Sequence, residues 1–227
     1  MKQKGTAILY FSRNLQDEYE AKGFGMTFPQ FQKLYQFLQN KALTLLNESG
    51  IPVFESYSTH QFGNGFGERL TFELEKVKAQ GYDSVIVIGN DAPQLSLIDL
   101  QTAHSNLQNG IHTIGADERG GAYLIAFSFN AVNLNALQRL SWQSPSIYEE
   151  LRNLLNEPEE LKEKIDLNRK SDIIDLIEAS ALGRGIRQFF ISLFGLNHLE
   201  VTTSQGVLEP QFKAFLLRGP PMQVAIL

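Results

Sequence analysis

Val85-Ile86-Val87-Ile88-Gly89-Asn90-Asp91-Ala92-Pro93 is the stretch that decides the fold. Four consecutive β-branched apolar residues are typical of a strand buried on both faces, as in parallel sheets. Gly89 allows a sharp turn directly after this strand, and Pro93 ends further pairing. Asn90 and Asp91 therefore follow the strand's carboxyl end, which is where open α/β sheets bind ligands. Two interpretations stay open: these side chains contact a ligand or metal, or they only stabilise a turn.

Short apolar runs alternate with helical periodicity on both sides of this strand. Strands are predicted over residues 6–11, 51–57, 85–88, 111–114 and 122–127, and helices over 28–47, 68–80, 96–108, 144–155 and 171–181. Ser96 and Asp99 fit a capping box at a helix start, and Ser144 is predicted to cap the helix that follows it. This alternation predicts an α/β fold, a three-layer α/β/α sandwich with a mostly parallel sheet that a hairpin near Gly120 makes mixed.

Two polar segments are predicted to lie outside this framework. Residues 15–25 are acidic and interrupted by glycine, which favours a loop, and residues 158–164 are charged, which favours a position outside the core. Residues 165–168 are predicted to be a short strand or a strand end. The chain is divided into a domain over 1–180 and a C-terminal extension over 181–227, with a helix at 188–194 and a hairpin within 201–217.

Composition and charge exclude several classes of protein and of chemical site. The 227 residues carry a net charge of -5, which does not suit a general nucleic-acid binder. The absence of cysteine excludes disulfides, thiolate nucleophiles and cysteine-ligated metals. No stretch approaches the roughly 18 apolar residues of a membrane span, and the first residues lack the apolar region of a signal peptide. The expectation is a cytoplasmic protein.

Four further charged residues are candidates for a site, each with a plainer alternative. Arg13 follows the first strand and either meets a phosphate or lies in solvent. Arg69 opens a helix and either contacts a phosphate there or pairs with a carboxylate. Glu118 either serves the site or is a solvated charge of a hairpin. Asp166 either serves the site or caps the helix that begins near Ser171.

Four segments in order carry a family resemblance: Gly67-Glu68-Arg69-Leu70, Gly89-Asn90-Asp91-Ala92-Pro93, Ala116-Asp117-Glu118-Arg119-Gly120-Gly121-Ala122-Tyr123-Leu124-Ile125, and Leu140-Ser141-Trp142-Gln143-Ser144-Pro145. They are similar to the "GERL", "GSDCP", "EDGGYYLIG" and "W-S-T" segments of the glycosyltransferase-A-like bacterial domain family of unknown function. Its members are also called radical-SAM/selenodomain-associated transferases. The resemblance covers about residues 6–177.

The resemblance implies a nucleotide-diphosphosugar transferase fold and a metal-dependent glycosyl- or nucleotidyltransferase. A nucleotide sugar or a nucleotide is then the donor, and the acceptor is unidentified. Asp91, together with Asp166 in a weakened D-x-D segment, maps onto the residues that hold Mg²⁺ or Mn²⁺. The resemblance also maps Glu118 onto the acidic position before the paired glycines. The predicted catalytic residues are Asp91 and Glu118, and the predicted substrate-binding residues are Arg13, Arg69, Asn90, Gly120 and Gly121.

The chain also departs from the family pattern. The basic segment that contacts nucleotide phosphates after the first strand is replaced by an acidic one over residues 12–20, where Arg13 or Lys22 is left as a substitute. Arg119 stands where the family has aspartate. The alternative is therefore a catalytically degenerate relative that acts as a binding or assembly module. Residues 181–227 then either complete the core or form a homodimer contact.

Overall fold

The computed structural model describes residues 5–178 and 184–193. These residues fall into two compact units. The first contains the described residues up to 14 together with residues 39–166, and the second contains residues 15–38 and the described residues from 167 onward. The predicted domain boundary at residue 180 and the predicted hairpin within 201–217 lie outside the described residues.

Six strands and eight helices occur in the described part of the chain. The strands are β1 (Thr6–Ser12), β2 (Val53–Tyr57), β3 (Ser84–Ile88), β4 (Thr113–Asp117), β5 (Ala122–Ser128) and β6 (Glu159–Lys164). The helices are α1 (Leu15–Ala21), α2 (Phe28–Ser49), α3 (Phe66–Ala79), α4 (Leu97–Gln108), α5 (Leu134–Gln138), α6 (Ile147–Leu155), α7 (Lys170–Glu178) and α8 (Arg184–Leu193).

The first unit is built on one six-stranded sheet in the order β2-β1-β3-β5-β4-β6. β1 pairs in parallel with β2 and β3, and β4 pairs in parallel with β6. β5 is antiparallel to both of its neighbours, β3 and β4. The predicted mostly parallel, mixed sheet is therefore confirmed, with β5 as the single reversed strand.

Helices of the first unit cover both faces of this sheet. Alternate side chains of β1, β3 and β5 point to opposite faces and fill two separate cores. One core joins Leu9, Val87 and Phe127 to Leu74 of α3 and Leu151 of α6. The other joins Ile8, Ile86 and Ala126 to Leu46 of α2 and Leu100 of α4. The three-layer α/β/α sandwich predicted from the sequence is confirmed.

The second unit holds its helices by aromatic contacts. The Phe31 ring lies 5.4 Å from that of Tyr19 and 5.7 Å from that of Phe24. The Phe37 ring of α2 stacks on Phe189 of α8 with centroids 3.8 Å apart. These contacts bury the apolar stripe of the first half of α2, as its helical spacing predicts.

The loop predicted over residues 15–25 is wrong, because Leu15–Ala21 forms α1. Glu18 and Lys22 form an ion pair of 2.9 Å at i,i+4 spacing, and both side chains are almost fully buried. Such a pair stabilises a helical turn, and acidic residues in the first turn complement the helix dipole. The acidic composition that favoured a loop therefore suits the start of a short helix.

The prediction that residues 158–164 lie outside the core holds for most of these side chains, which are exposed or half-buried, but the sequence did not predict that residues 159–164 form a strand. They form β6, which pairs in parallel with β4 at the edge of the sheet. An edge strand tolerates charged side chains because one of its sides has no neighbouring strand. The ladder ends at Lys164, so residues 165–168 are a connection and not a strand.

Two predicted helix starts are shifted. α6 begins at Ile147 after Ser146, and the Ser144 hydroxyl accepts a hydrogen bond from the Ser146 amide instead of capping the helix. Ser171 lies inside α7. At the start of that helix, the Asp172 carboxylate accepts from the amides of Asn168 at 2.8 Å and Arg169 at 2.7 Å.

Candidate functional site

The sheet topology places the predicted site residues of the first unit along one edge. Five strands run in the same direction, so their carboxyl ends share an edge with the start of the reversed strand β5. We call this the carboxyl edge. Arg13 follows β1, Asn90 and Asp91 follow β3, Glu118 follows β4, Gly120 and Gly121 precede β5, and Asp166 follows β6. Neighbouring strands are about 4.8 Å apart, so β3 and β4 are separated by roughly 10 Å and β3 and β6 by roughly 15 Å.

Asn90 is held by a neighbouring strand. The Tyr10 hydroxyl of β1 donates a 2.8 Å hydrogen bond to Asn90 Oδ1, and both side chains are buried. The carboxamide oxygen is therefore occupied within the protein. The amide nitrogen is the group that Asn90 offers to a ligand.

Tyr10→Phe is expected to lower the free energy of unfolding by about 1 kcal/mol, because the buried Asn90 oxygen loses its donor. Urea unfolding followed by circular dichroism measures the change. Tyr57→Phe is the matched control, since the Tyr57 hydroxyl donates to the exposed Glu55 carboxylate. An equal loss in both variants would contradict the role of the buried bond.

The loop that carries Asp91 is fixed at its far end by the start of α4. The predicted capping box is confirmed: the Ser96 amide and hydroxyl donate to Asp99 Oδ2 at 2.8 and 2.6 Å, and the Asp99 amide donates back to Ser96 Oγ. Asp91 itself is half-buried. Its carboxylate thus lies on a short connection, held between the central strand and an anchored helix.

The β4–β5 turn is organised by Asp117, which lies in the third of the family-like segments. The buried Asp117 carboxylate accepts from the amides of Arg119 at 2.7 Å and Gly121 at 2.8 Å. Glu118 is exposed at the tip of this turn. A D-x-x-G-G segment between two strands is the sequence signal for such an Asx-type turn.

Packing accounts for both glycines of this turn. Gly120 has a φ of +83°, and a Cβ there would lie 2.6 Å from the Pro145 carbonyl oxygen. A Cβ at Gly121 would run into the Asp117 carboxylate. The turn therefore needs glycine at both positions whether or not a substrate approaches them.

Arg69 lies in the first turn of α3, after a loop that is tied to the carboxyl edge. Gln61 Nε2 in that loop donates to the carbonyl oxygens of Ser12 and Ser56 at the ends of β1 and β2. The Arg69 Nε atom is buried and has no hydrogen-bond partner within the described residues. The ion pair expected as the plainer alternative is likewise not found for Arg69 among those residues. A buried donor without a partner is costly, so this guanidinium suits an anionic ligand.

The two cations considered as substitutes for the missing basic loop have different surroundings. Lys22, in the second unit, is paired with Glu18 and donates a 2.9 Å hydrogen bond to the Leu167 carbonyl oxygen. Its charge is therefore already used inside the protein. Arg13 is half-buried and lies directly after β1 at the carboxyl edge.

The donor set of this edge fits a hard divalent cation that is shared with a ligand. Asp91 and Asp166 are half-buried carboxylates. Among residues 5–178 and 184–193, no group of three or more histidine, aspartate or glutamate side chains is arranged to hold a metal alone. Mg²⁺ is usually bound by one or two carboxylates together with substrate phosphates and water. Two carboxylates therefore match a cation whose remaining ligands are water or phosphate oxygens.

A buried ionic cluster lies beside these carboxylates. Lys164 Nζ is 3.1 Å from Asp99 Oδ1, and both side chains are about nine-tenths buried. Lys41 Nζ donates to the Leu95 carbonyl oxygen at 2.9 Å, and burial lowers the pKa of Lys41. Burial also raises the pKa of Tyr123, whose ring centre is 5.2 Å from Lys164 Nζ. The sequence did not indicate this cluster, because Lys164, the lysine that β6 contributes, lies in a run of charged residues.

In the described part of the chain, no helix is long and apolar enough to cross a bilayer.

Comparisons with known proteins agree with this architecture. A crystal structure from Desulfovibrio desulfuricans G20, provisionally assigned as a nucleotide-diphospho-sugar transferase, matches with a TM-score of 0.72 and 20% identity, over 85% of this chain and 95% of that chain. At this identity the likeness shows the fold alone. No curated protein matches the sequence significantly.

Two further solved structures are more distant. Rv0371c from Mycobacterium tuberculosis H37Rv, in complex with manganese, has a TM-score of 0.44 and 14% identity, over 78% of this chain and all of that one. CMP:2-keto-3-deoxy-manno-octonic acid synthetase, complexed with CTP, has a TM-score of 0.41 and 13% identity, over 76% of this chain and 96% of that one. Likenesses this weak carry no conclusion here.

The family model that matches residues 41–144 is described as "Uncharacterized protein conserved in bacteria (DUF2064)". These residues include Arg69, Asn90, Asp91 and the Glu118–Gly121 turn. The predicted resemblance is therefore confirmed: residues 41–144 match the model of this bacterial family, and the described fold is similar to that of the Desulfovibrio desulfuricans structure.

Proposed function

We propose that this protein is a cytoplasmic, metal-dependent transferase that moves a glycosyl or nucleotidyl group from a nucleotide-activated donor to an acceptor. The observation that supports this most directly is the buried Nε of Arg69, which has no hydrogen-bond partner in the part of the chain that the structure describes, in a helix turn whose preceding loop is tied to the carboxyl edge. A guanidinium forms strong, directional hydrogen bonds with phosphate oxygens. The same edge supplies the carboxylates of Asp91 and Asp166.

Each residue of the carboxyl edge then has a defined task. Asp91 and Asp166 hold Mg²⁺ or Mn²⁺, which neutralises the charge that develops on the departing phosphate groups. Arg13 and Arg69 bind the phosphates of the donor. Asn90 donates from its amide nitrogen to the same ligand. Glu118, exposed at the β4–β5 turn, orients the acceptor.

A thermal-shift panel tests this proposal. The full chain is heated with individual nucleoside diphosphates and nucleotide sugars, each in the presence of Mn²⁺ or of EDTA. We expect one base to raise the melting temperature only with Mn²⁺, because a ligand at about a hundred times its Kd stabilises the folded state by about 2.7 kcal/mol. A flat panel at millimolar ligand contradicts the proposal.

Asp91→Asn is expected to abolish the metal-dependent shift, because the amide lacks the negative charge with which the carboxylate attracts a divalent cation. The measurement is the same melting experiment at a ligand concentration that saturates the unmodified protein. Asp83→Asn is the matched control, because Asp83 precedes β3 at the opposite end of the same strand. A shift that survives in Asp91→Asn would remove Asp91 from the metal site.

A second function, a binding or assembly module without turnover, is favoured by one specific contact. The segment after β1 forms the acidic helix α1, and its Lys22 is sequestered by Glu18 and the Leu167 carbonyl. A basic phosphate-binding loop is therefore not available at that point. A flat thermal-shift panel supports this alternative. Comparing the solution mass of the full chain with that of a chain ending at Gly195 tests the homodimer contact proposed for residues 181–227.

A further inference from the structure

Two contacts tie the connection that follows Asp91 to the strand end that precedes Asp166. The Ile165 amide donates a 2.9 Å hydrogen bond to Gln94 Oε1. The Lys164 ammonium is 3.1 Å from Asp99 Oδ1. We call these two contacts the β6 clasp.

The clasp joins elements that are remote in the sheet. β3 and β6 are separated by β5 and β4 in the strand order, so direct strand pairing does not fix the position of one relative to the other. Gln94 and Asp99 follow Asp91 by three and eight residues, and Ile165 and Lys164 precede Asp166 by one and two. The clasp therefore acts within a few residues of both carboxylates.

The Asp99 carboxylate is fully engaged, which makes the clasp stiff. Its Oδ2 accepts from the Ser96 amide and hydroxyl while Oδ1 accepts from Lys164. Lys41 holds the Leu95 carbonyl of the same connection from α2. The connection is thus fixed from the helix layer and from the edge strand together.

We propose that the β6 clasp sets the separation of the Asp91 and Asp166 carboxylates, which makes Lys164 and Gln94 positioning residues for a divalent cation. This inference rests on the proposed function, because it takes Asp91 and Asp166 as the cation's ligands. Partners that orient metal ligands without touching the metal commonly change metal affinity by 10- to 100-fold when they are replaced.

If only the charge of Lys164 mattered, replacing it with a neutral residue would strengthen cation binding. A positioning role predicts weaker binding instead. Removing a positive charge from the neighbourhood of two carboxylates strengthens their attraction for a cation. The clasp predicts that Lys164→Met weakens cation binding, because the strand end that carries Asp166 loses its anchor. The sign of the change therefore separates positioning from electrostatics.

The experiment is a titration of the full chain with Mn²⁺ alone, with free Mn²⁺ measured by electron paramagnetic resonance well below the melting temperature of each variant. We expect Lys164→Met to weaken Mn²⁺ binding by 10- to 100-fold and Lys164→Arg to restore most of it. Lys162→Met is the matched control, because Lys162 is exposed two residues earlier on the same strand. Removing its charge is expected to leave the affinity unchanged or slightly higher.

Gln94→Ala is the second variant, since it removes one hydrogen bond and leaves the ion pair in place. We expect a weaker Mn²⁺ affinity there too, which keeps the test decisive if Lys164→Met does not fold. Unchanged or tighter binding in both variants, with normal binding in the unmodified chain, overturns the clasp and leaves the proposed function standing. An unmodified chain that binds no Mn²⁺ overturns the metal site and the clasp together.

Discussion

Replacing Asp99 by alanine is expected to lower the free energy of unfolding by about 3–5 kcal/mol. The substitution leaves the Lys164 ammonium, which is about nine-tenths buried, without its carboxylate. It also removes the capping box at the start of α4. Urea unfolding measured by circular dichroism, and by the fluorescence of the single tryptophan Trp142, gives the loss.

A double substitution separates the buried charge from the cap. Asp99→Ala with Lys164→Met is expected to be more stable than Asp99→Ala alone, because it no longer contains an unpaired buried ammonium. The part of the loss that remains then measures the cap, about 1 kcal/mol. A double variant as unstable as the single one would show that the Lys164 charge is accommodated without Asp99.

Gly67→Ala is expected to destabilise the first unit by about 1–3 kcal/mol through overpacking. A Cβ at this second position of α3 would run into the Gln138 carbonyl oxygen and would lie 2.7 Å from Trp142 Cδ1. The indole has little room to move, since its Nε1 donates to the Leu137 carbonyl at 2.9 Å. The glycine of the "GERL" segment is thus explained by packing of α3 on α5.

Helix propensity alone predicts that Gly67→Ala stabilises the protein, which is the opposite of the overpacking prediction. The experiment therefore distinguishes the two effects. Alanine is favoured over glycine inside a helix by about 1 kcal/mol. Gly185→Ala in α8 is the matched control, because a Cβ there meets no atom of residues 5–178 or 184–193 within 4 Å. We expect the control to be neutral or stabilising in the same urea experiment. A Gly67→Ala variant that gains stability would mean that α3 and α5 separate at little cost.

The central strand and the turn that follows it could be predicted from the sequence because the signals are local. Val85–Ile88 is apolar at every position, and Gly89 to Pro93 mark where the strand ends. Parallel direction then follows from alternation with helices, so Asp91 is expected at the edge where the parallel strands end. The capping box of α4 depends only on Ser96 and Asp99, and it too was predicted correctly.

β6 and the burial of Lys164 could not be predicted in this way. Glu159–Lys164 has one apolar residue in six, so its pattern lacks the period of a buried strand. It becomes a strand because β4 offers it a free edge. Lys164 is buried because its ammonium pairs with the carboxylate of Asp99, which lies 65 residues earlier in the sequence. Both features depend on pairing between residues that are far apart in the sequence, so a short stretch of sequence does not contain the information that would predict them.

Likewise, the sequence placed Arg69 at a helix start and left its partner undecided. Choosing between a carboxylate and a ligand requires the positions of all neighbouring side chains. That its Nε has no partner among the described residues becomes visible only when the loop over residues 58–65 has folded onto the ends of β1 and β2.

The reversed strand β5 has a consequence for synthesis of the chain. β3 is buried at every position, and until residue 128 has left the ribosome it has a partner on one side only, β1. An apolar strand with an unpaired edge is a template for association with other chains. The β4–β5 hairpin is a local structure that closes around the Asp117 turn. Once it has been synthesised, it covers that edge. Variants that loosen this turn are therefore expected to be recovered in inclusion bodies more often than their equilibrium stability would predict.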